Sequence, residues 1–359
     1  MKELYNFLSI LKQYPEQTSV LATVIQVQGS AYRHEGAKML FLEKGSQYGM
    51  ISGGCLEDDL RIRAKDVMKS EKAETATYDL RSEDDLDWGQ GAGCNGKITV
   101  LLEPFSWDET VWSAVLETFG QGNDVISVRK FSGGEIGPRC FFTTGGLEIG
   151  EVLHTDVSFH KDVQQFYQQQ RLFEYQLNFE TNAQYLFELH EAKDMVYIFG
   201  AGADVEPVVK RLAEFDFLPI VIDPREARCN NQFFPNAHRL IQEHPETFLK
   251  RNETMANAYV LIMTHSFTRD QLILSAFLQR PPRYLGILGP RRRTERLLQS
   301  ESVPKWVHSP IGMNIDAEGA EEISISILGE LIKVRNQKRV LNKKRKRAQV
   351  QEREVQGQS

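Results

Sequence analysis

A chain of 359 residues is long for a single hydrophobic core and comfortable for two domains of ordinary size. Its 41% hydrophobic and 26% charged residues exclude a disordered chain, and a formal net charge of -6 argues against nucleic acid as the main ligand. The opening residues lack the apolar block of a signal peptide, no apolar run reaches membrane-spanning length, and the 4 cysteines form no CxxC pair, so the sequence predicts a cytoplasmic protein with no membrane association, no disulfide framework and no zinc knuckle.

Helical spacing over residues 2–14 opens the chain, and a β-branched strand at 19–28 ends on Gly29-Ser30. A strand at 38–43 and a short apolar segment at 48–51 lead into Ser52-Gly53-Gly54. From Cys55 onward Leu56, Leu60, Ala64 and Val67 share one helical face, so Gly53-Gly54-Cys55 is expected to open a helix. A strand at 74–80 is followed by a polar, glycine-rich loop at 84–96 that carries Cys94 and feeds a strand at 97–102. A helix at 107–118, strands at 125–130 and 139–144, a helix at 160–169 and strands at 172–179 and 183–189 complete a first α/β domain, residues 1–191.

From residue 192 the rhythm changes. The apolar run 195–199 has the length of a buried parallel strand, and it is followed by a helix at 204–215 and a strand at 219–222 ending on Asp223. Strands at 259–263 and 284–288 flank a helix at 270–278. This β-α-β alternation predicts a Rossmann-like domain with a doubly wound parallel sheet over residues 192–332. The fold class is therefore α/β, an N-terminal α/β domain followed by a Rossmann-like one. Residues 333–359 form a basic tail, expected as a frayed helix or a disordered extension.

Chemistry-bearing residues concentrate in glycine turns. Gly200 and Gly202 sit between a strand and a helix, where one glycine makes the turn and the next lets backbone approach a pyrophosphate; Val205 stands at the third glycine position. Asp223 lies where an acid would take ribose hydroxyls, Arg225 and Arg228 could meet a further phosphate, and His265 follows a strand at the carboxyl edge of the sheet. Arg291, Arg292 and Arg293 follow another glycine turn and suit phosphate or carboxylate. In the first domain, Cys55 at a helix N-terminus would have its thiolate favoured, with Gly53 and Gly54 offering close backbone, Glu57 beside them, Arg33 on a glycine-bounded turn and Cys94 on another. No catalytic triad and no metal-ligand set is legible.

The segments GSAYRHEGAKM, ISGGCLEDDL and GAGCNGKITVLLEP, with YIFGAGADVEPVVKRL, VIDPREAR, MTHSFTRD, YLGILGPRRR and HSPIGMNIDAEGAEEISISILGEL in the second domain, resemble the XdhC/CoxI family of molybdoenzyme accessory proteins. The resemblance implies a maturation factor, not itself an enzyme. It would bind the molybdenum cofactor transiently, protect it during sulfuration and insert it into xanthine dehydrogenase or a related hydroxylase, with the apo molybdenum hydroxylase and a cysteine desulfurase as partners and a homodimer as the assembly. Asn95 stands where the family pattern usually has glycine, and Asp204 where it has histidine. The alternative, carried by Gly200, Gly202 and Asp223, is an oxidoreductase binding NAD(P) or another nucleotide, with His265 in acid-base work.

Overall fold

The computed structural model describes residues 3–54, 56–80, 95–132, 135–149, 157–169, 171–178, 183–251, 255–299 and 302–356. Cys55, Cys94 and most of the glycine-rich loop before β5 lie outside them. The chain divides into two compact units, Met1–Ala192 and Lys193–Ser359.

In the first unit the elements run α1 (Glu3–Gln13), β1 (Ser19–Ser30), β2 (Lys38–Leu42), β3 (Gln47–Gly49), α2 (Glu57–Ser70), β4 (Glu74–Asp79) and β5 (Asn95–Pro104). They continue as α3 (Glu109–Gly120), β6 (Val125–Ser132), β7 (Glu135–Thr143), β8 (Glu148–Ile149), α4 (Val157–Gln168), β9 (Phe173–Asn178) and β10 (Ala183–His190). Helix α2 starts two residues beyond the position the sequence suggested.

Among the described residues these strands form two antiparallel sheets, ordered β3-β2-β1-β5-β4 and β8-β7-β6-β10-β9. The two orders are the same, and so is the order of helices, so the unit is a structural duplication. The registers agree over Ser19–Val24 of β1 and Val125–Lys130 of β6, before the bulge that follows in β1. Leu21 faces Glu103 and Thr23 faces Lys38 in the first sheet, as Ser127 faces Glu188 and Arg129 faces Arg139 in the second. The β2–β3 and β7–β8 turns close with matching bonds, Leu42 N–H to Ser46 O and Thr143 N–H to Leu147 O.

Strand alternation divides each sheet into two faces. Val20, Ala22, Val24, Met39 and Phe41 pack with Leu60, Ala64 and Val67 of α2, while Ile126, Val128, Phe142 and Phe187 pack with Val163 and Phe166 of α4. The opposite faces meet each other: Leu21, Leu40 and Leu42 join Val125, Phe141 and Ile149, closed by α1 and α3. Through this inner layer Lys38 ion-pairs with Glu188, and Arg139 and Arg129 with Glu103.

The second unit contains β11 (Asp194–Phe199), α5 (Val205–Glu214), β12 (Phe217–Ile222), β13 (Arg239–Ile241), α6 (Pro245–Lys250), β14 (Tyr259–Ile262), α7 (Phe267–Gln279), β15 (Tyr284–Ile287), α8 (Arg291–Leu298), β16 (Val307–His308) and α9 (Gly319–Gln356). Its sheet has the order β13-β12-β11-β14-β15-β16 with parallel pairings throughout, the Rossmann arrangement expected from the sequence. Strands β12, β14 and β15 are buried at every position, which is why they read as continuous apolar runs. Val205, Val208 and Leu212 of α5 and Ile327 and Leu331 of α9 cover one face, and Ile273, Leu274 and Phe277 of α7 cover the other. Helix α9 carries the basic tail in helical form as far as Gln356. Among the described residues no helix is long and apolar enough to cross a membrane.

Candidate functional site

Sheet register directs the glycine turns of the first unit to the same end of the sheet. Ser30 lies opposite Asn95, Thr23 opposite Lys38 and Met39 opposite Gly49, so the loop after β1, the turn after β3 and the start of β5 share one end of the sheet.

The turn between β3 and α2 is built around Glu57. Its carboxylate folds back and accepts from the N–H groups of Ser52 at 2.8 Å, Gly54 at 3.1 Å and Ile51 at 3.3 Å, and from the Ser52 hydroxyl. Ser52 Oγ in turn accepts from the Leu56 N–H at 3.0 Å, tying the turn to the residue at the head of α2, whose own side chain makes no cap. Burial alone would raise the Glu57 pKa, but the hydroxyl and amide hydrogen bonds from Ser52 and Ile51 outweigh it and hold the group below its ordinary range. Glu57 thus braces the turn from beneath. Above it Gly53 and Gly54 are exposed, and a Cβ at either would meet open space. Gly54 has a φ of 117°, which only glycine adopts without strain. Arg33, half-buried after β1, donates to Glu3 at 2.6 Å. Ser52 escaped the sequence analysis because its spacing to Glu57 is not that of a capping box.

In the second unit Gly200 ends β11 at the carboxyl edge with a φ of 120°, and a Cβ there would collide with Met263 O, so glycine is what lets the two crossing loops approach. Asp223 is 2% exposed and accepts from the N–H groups of Ala201 at 3.0 Å and Arg225 at 2.9 Å, while the Arg225 guanidinium grips it at 2.8 and 2.7 Å. Against the upward push of burial, these bonds hold the Asp223 pKa below the usual carboxylate range. Two residues expected to face a nucleotide are here each other's partners. Arg228 braces the same turn, donating to Ala201 O at 3.0 Å and Glu206 at 2.5 Å.

Asp204, just before α5, places one carboxylate oxygen where a Cβ on Gly202 would stand and the other 2.9 Å from His265 Nε2. His265 follows β14 with a φ of 56° and is exposed. Next to it lies a cleft of about 250 Å³ lined by Met263, His265, Asp270, Leu288, Gly289 and Arg293. Buried Asp270 accepts from the Thr264 hydroxyl at 2.5 Å and pairs with Arg293 at 2.7 Å. Sequence alone shows Asp270 only as a first-turn acid suited to a helix dipole. Among the described residues no cluster of His, Cys, Asp and Glu could hold a metal ion.

Two family models match the chain, the XdhC and CoxI family over residues 15–79 and the XdhC Rossmann domain over residues 196–331. A Bacillus subtilis relative, named as a probable xanthine dehydrogenase component, is 34% identical over 328 residues, which is 89% of this chain and 94% of its own length. This chain belongs to the XdhC and CoxI family. Another relative, the Escherichia coli molybdenum cofactor insertion chaperone PaoD, is 21% identical over 343 residues, 88% of this chain and 83% of its own. The crystal structure of a protein described as a xanthine dehydrogenase from Bacillus halodurans superposes with a TM-score of 0.74 at 39% identity, covering 92% of this chain and 95% of that one. Within this XdhC chain the first match contains Arg33, Gly53, Gly54, Cys55 and Glu57, and the second contains Gly200, Gly202, Asp223, Arg225 and His265. Cys94 falls between the two.

Proposed function

We propose that the protein is a maturation factor that binds the molybdenum cofactor transiently and hands it to an apo molybdenum hydroxylase of the xanthine dehydrogenase type. Family membership and the names of its relatives support the reading, and one observation carries it: the exposed Gly53-Gly54 backbone, held rigid from below by Glu57 and open above. Backbone free of side chains suits a bulky anionic pterin phosphate, because a ligand can approach it without displacing anything. When bound, the cofactor would carry the redox metal that the receiving enzyme needs. This chain's part is to bind and shield it, with Gly53 and Gly54 at the contact, the thiols of Cys55, next in sequence, and of Cys94, before β5, as further proposed contacts, and Arg33 available as a counter-charge on leaving Glu3. Protection during sulfuration by a cysteine desulfurase, and action as a homodimer, extend the same proposal. No observation favours a dinucleotide oxidoreductase, since Asp223 and Arg225 engage each other.

Mass spectrometry of small molecules released from the freshly purified chain tests the reading, and pterin is expected. Gly53→Ala should separate binding from folding: its Cβ meets nothing in the protein, so the melting temperature should hold while cofactor retention drops. Retention unchanged in Gly53→Ala, Cys55→Ala and Cys94→Ala alike would remove the site.

A further inference from the structure

His265 and the arginine-bearing first turn of α8 take no part in the proposed cofactor site, yet both lie at the position where open parallel sheets bind ligands, the carboxyl edge beside the crossover between β11 and β14. The usual occupant there is a dinucleotide, whose pyrophosphate lies over the second glycine of the turn and whose ribose reaches the acid ending the next strand. Both places are filled from within. The Asp204 carboxylate stands over Gly202, and a pyrophosphate brought to the same spot would meet like charge at close range. Asp223 has its oxygens occupied by Ala201 and Arg225.

What stays open is the neighbouring cleft between the ends of β14 and β15. At about 250 Å³ it has room for a compact polar group. Its cation is fixed in place: Arg293 is anchored by Asp270, which is 2% exposed and itself held by Thr264. His265, oriented through Nε2 by Asp204, lines the same cleft. An anchored guanidinium and an oriented imidazole that line one cleft, with Gly289 beside them and Asp270 taking up one side of the guanidinium, suit a tetrahedral oxyanion, which can accept from several directions at once.

We propose that the Rossmann unit has given up dinucleotide binding and instead holds one compact phosphate group, free or as a monoester, between Arg293 and His265. Asp204 then has two tasks, closing the pyrophosphate seat and orienting the imidazole.

The test uses the full chain, thermal unfolding and three probes: inorganic phosphate, AMP and NAD, each against sodium chloride at matched ionic strength. Saturable stabilisation by phosphate or AMP, with NAD no better than chloride, is expected; tighter AMP would mark the ester and equal affinity the free oxyanion. In His265→Asn the apparent dissociation constant should rise about tenfold or more, as for loss of one charge-assisted contact. Asparagine tolerates the left-handed backbone at this position, so that variant keeps its fold. Arg293→Gln, which exposes Asp270 to loss of its partner, is the second arm and should lose the phosphate response as well. No phosphate effect beyond that of chloride, an undiminished effect in both variants, or NAD outperforming phosphate would each overturn the proposal.

Discussion

A single carboxylate can look like a ligand group in sequence and act as a brace in structure. Glu57 sits in the first turn of a helix, beside two glycines and a cysteine, where an anion-binding reading of the turn finds it awkward. Its three backbone hydrogen bonds resolve the difficulty, because it spends its charge on the underside of the turn. Replacing it leaves buried donors at Ser52 and Ile51 unsatisfied, and Glu57→Ala should cost about 1–3 kcal/mol and speed amide exchange at Ser52 and Gly54. The sign with pH follows from its lowered pKa: the contribution is complete above the unfolded carboxylate value of 4.5 and disappears as pH falls through the folded one. An acid-unfolding curve for Glu57→Ala that parallels the parent's would contradict this role.

At the scale of elements, the sequence revealed what its periodicity could encode. The parallel strands of the second unit were legible because burial on both faces makes them uninterrupted apolar runs, and Gly200-Ala201-Gly202 was legible because a crossing of loops demands glycine. Short elements such as β13, β16, α6 and α8 carry too few residues to show a period. The glycine turns of the first unit were legible singly, but only the register of β1, β2 and β5 says that they share an end. The docking of α9 was hidden for another reason, since it depends on partners far apart in the chain. Glu330 accepts from the Gly312 N–H at 2.8 Å and from the Tyr284 hydroxyl, and lies 2.8 Å from His308 Nδ1, tying the helix to β15, β16 and the loop that follows β16. Burial would raise the Glu330 pKa, but His308 and Tyr284 lower it further, so the group is charged where it works. Glu330→Ala should cost about 3 kcal/mol, the loss of a charged hub with several buried donors. Hydrogen exchange over residues 319–331 should accelerate while β11 and β12 stay protected; unchanged exchange there would place the docking energy in apolar contacts alone.

Across the molecule as a whole, the least expected feature is the duplication of the first unit and the way its halves are joined. Lys38 and Arg139 occupy equivalent register positions, as do Glu103 and Glu188, and each cation crosses to the carboxylate of the other half. Reciprocal pairing of this kind is the signature of a self-complementary, two-fold contact, here made within one chain. Sequence could not show it, because charges at alternate strand positions read as a solvated face until the sheets are stacked. Breaking one pair leaves a buried charge alone, so Lys38→Met should cost about 3–5 kcal/mol, and adding Glu188→Leu should recover much of that loss. His190 adds a pH dependence. Its Nε2 lies 2.8 Å from Ser127 Oγ and 3.7 Å from Glu188, and burial, only partly offset by Glu188 and reinforced by Lys38 and Arg139, lowers its pKa from 6.5 to about 3. The unfolded chain therefore takes up a proton that the folded chain refuses, and stability falls as pH drops from 6.5 towards 3. Glu188 acts in the same direction lower down: burial opposes its charge, Lys38, His190 and Arg139 favour it, and its pKa moves from 4.5 to about 2. Denaturant unfolding followed by Trp112, which is buried in this unit, should weaken from about pH 6.5 downward in the parent but only from near 4.5 in His190→Gln. Coincident profiles for the two would mean that the histidine is protonated in the folded layer and that the crossed ion pairs, not its burial, set the acid limit.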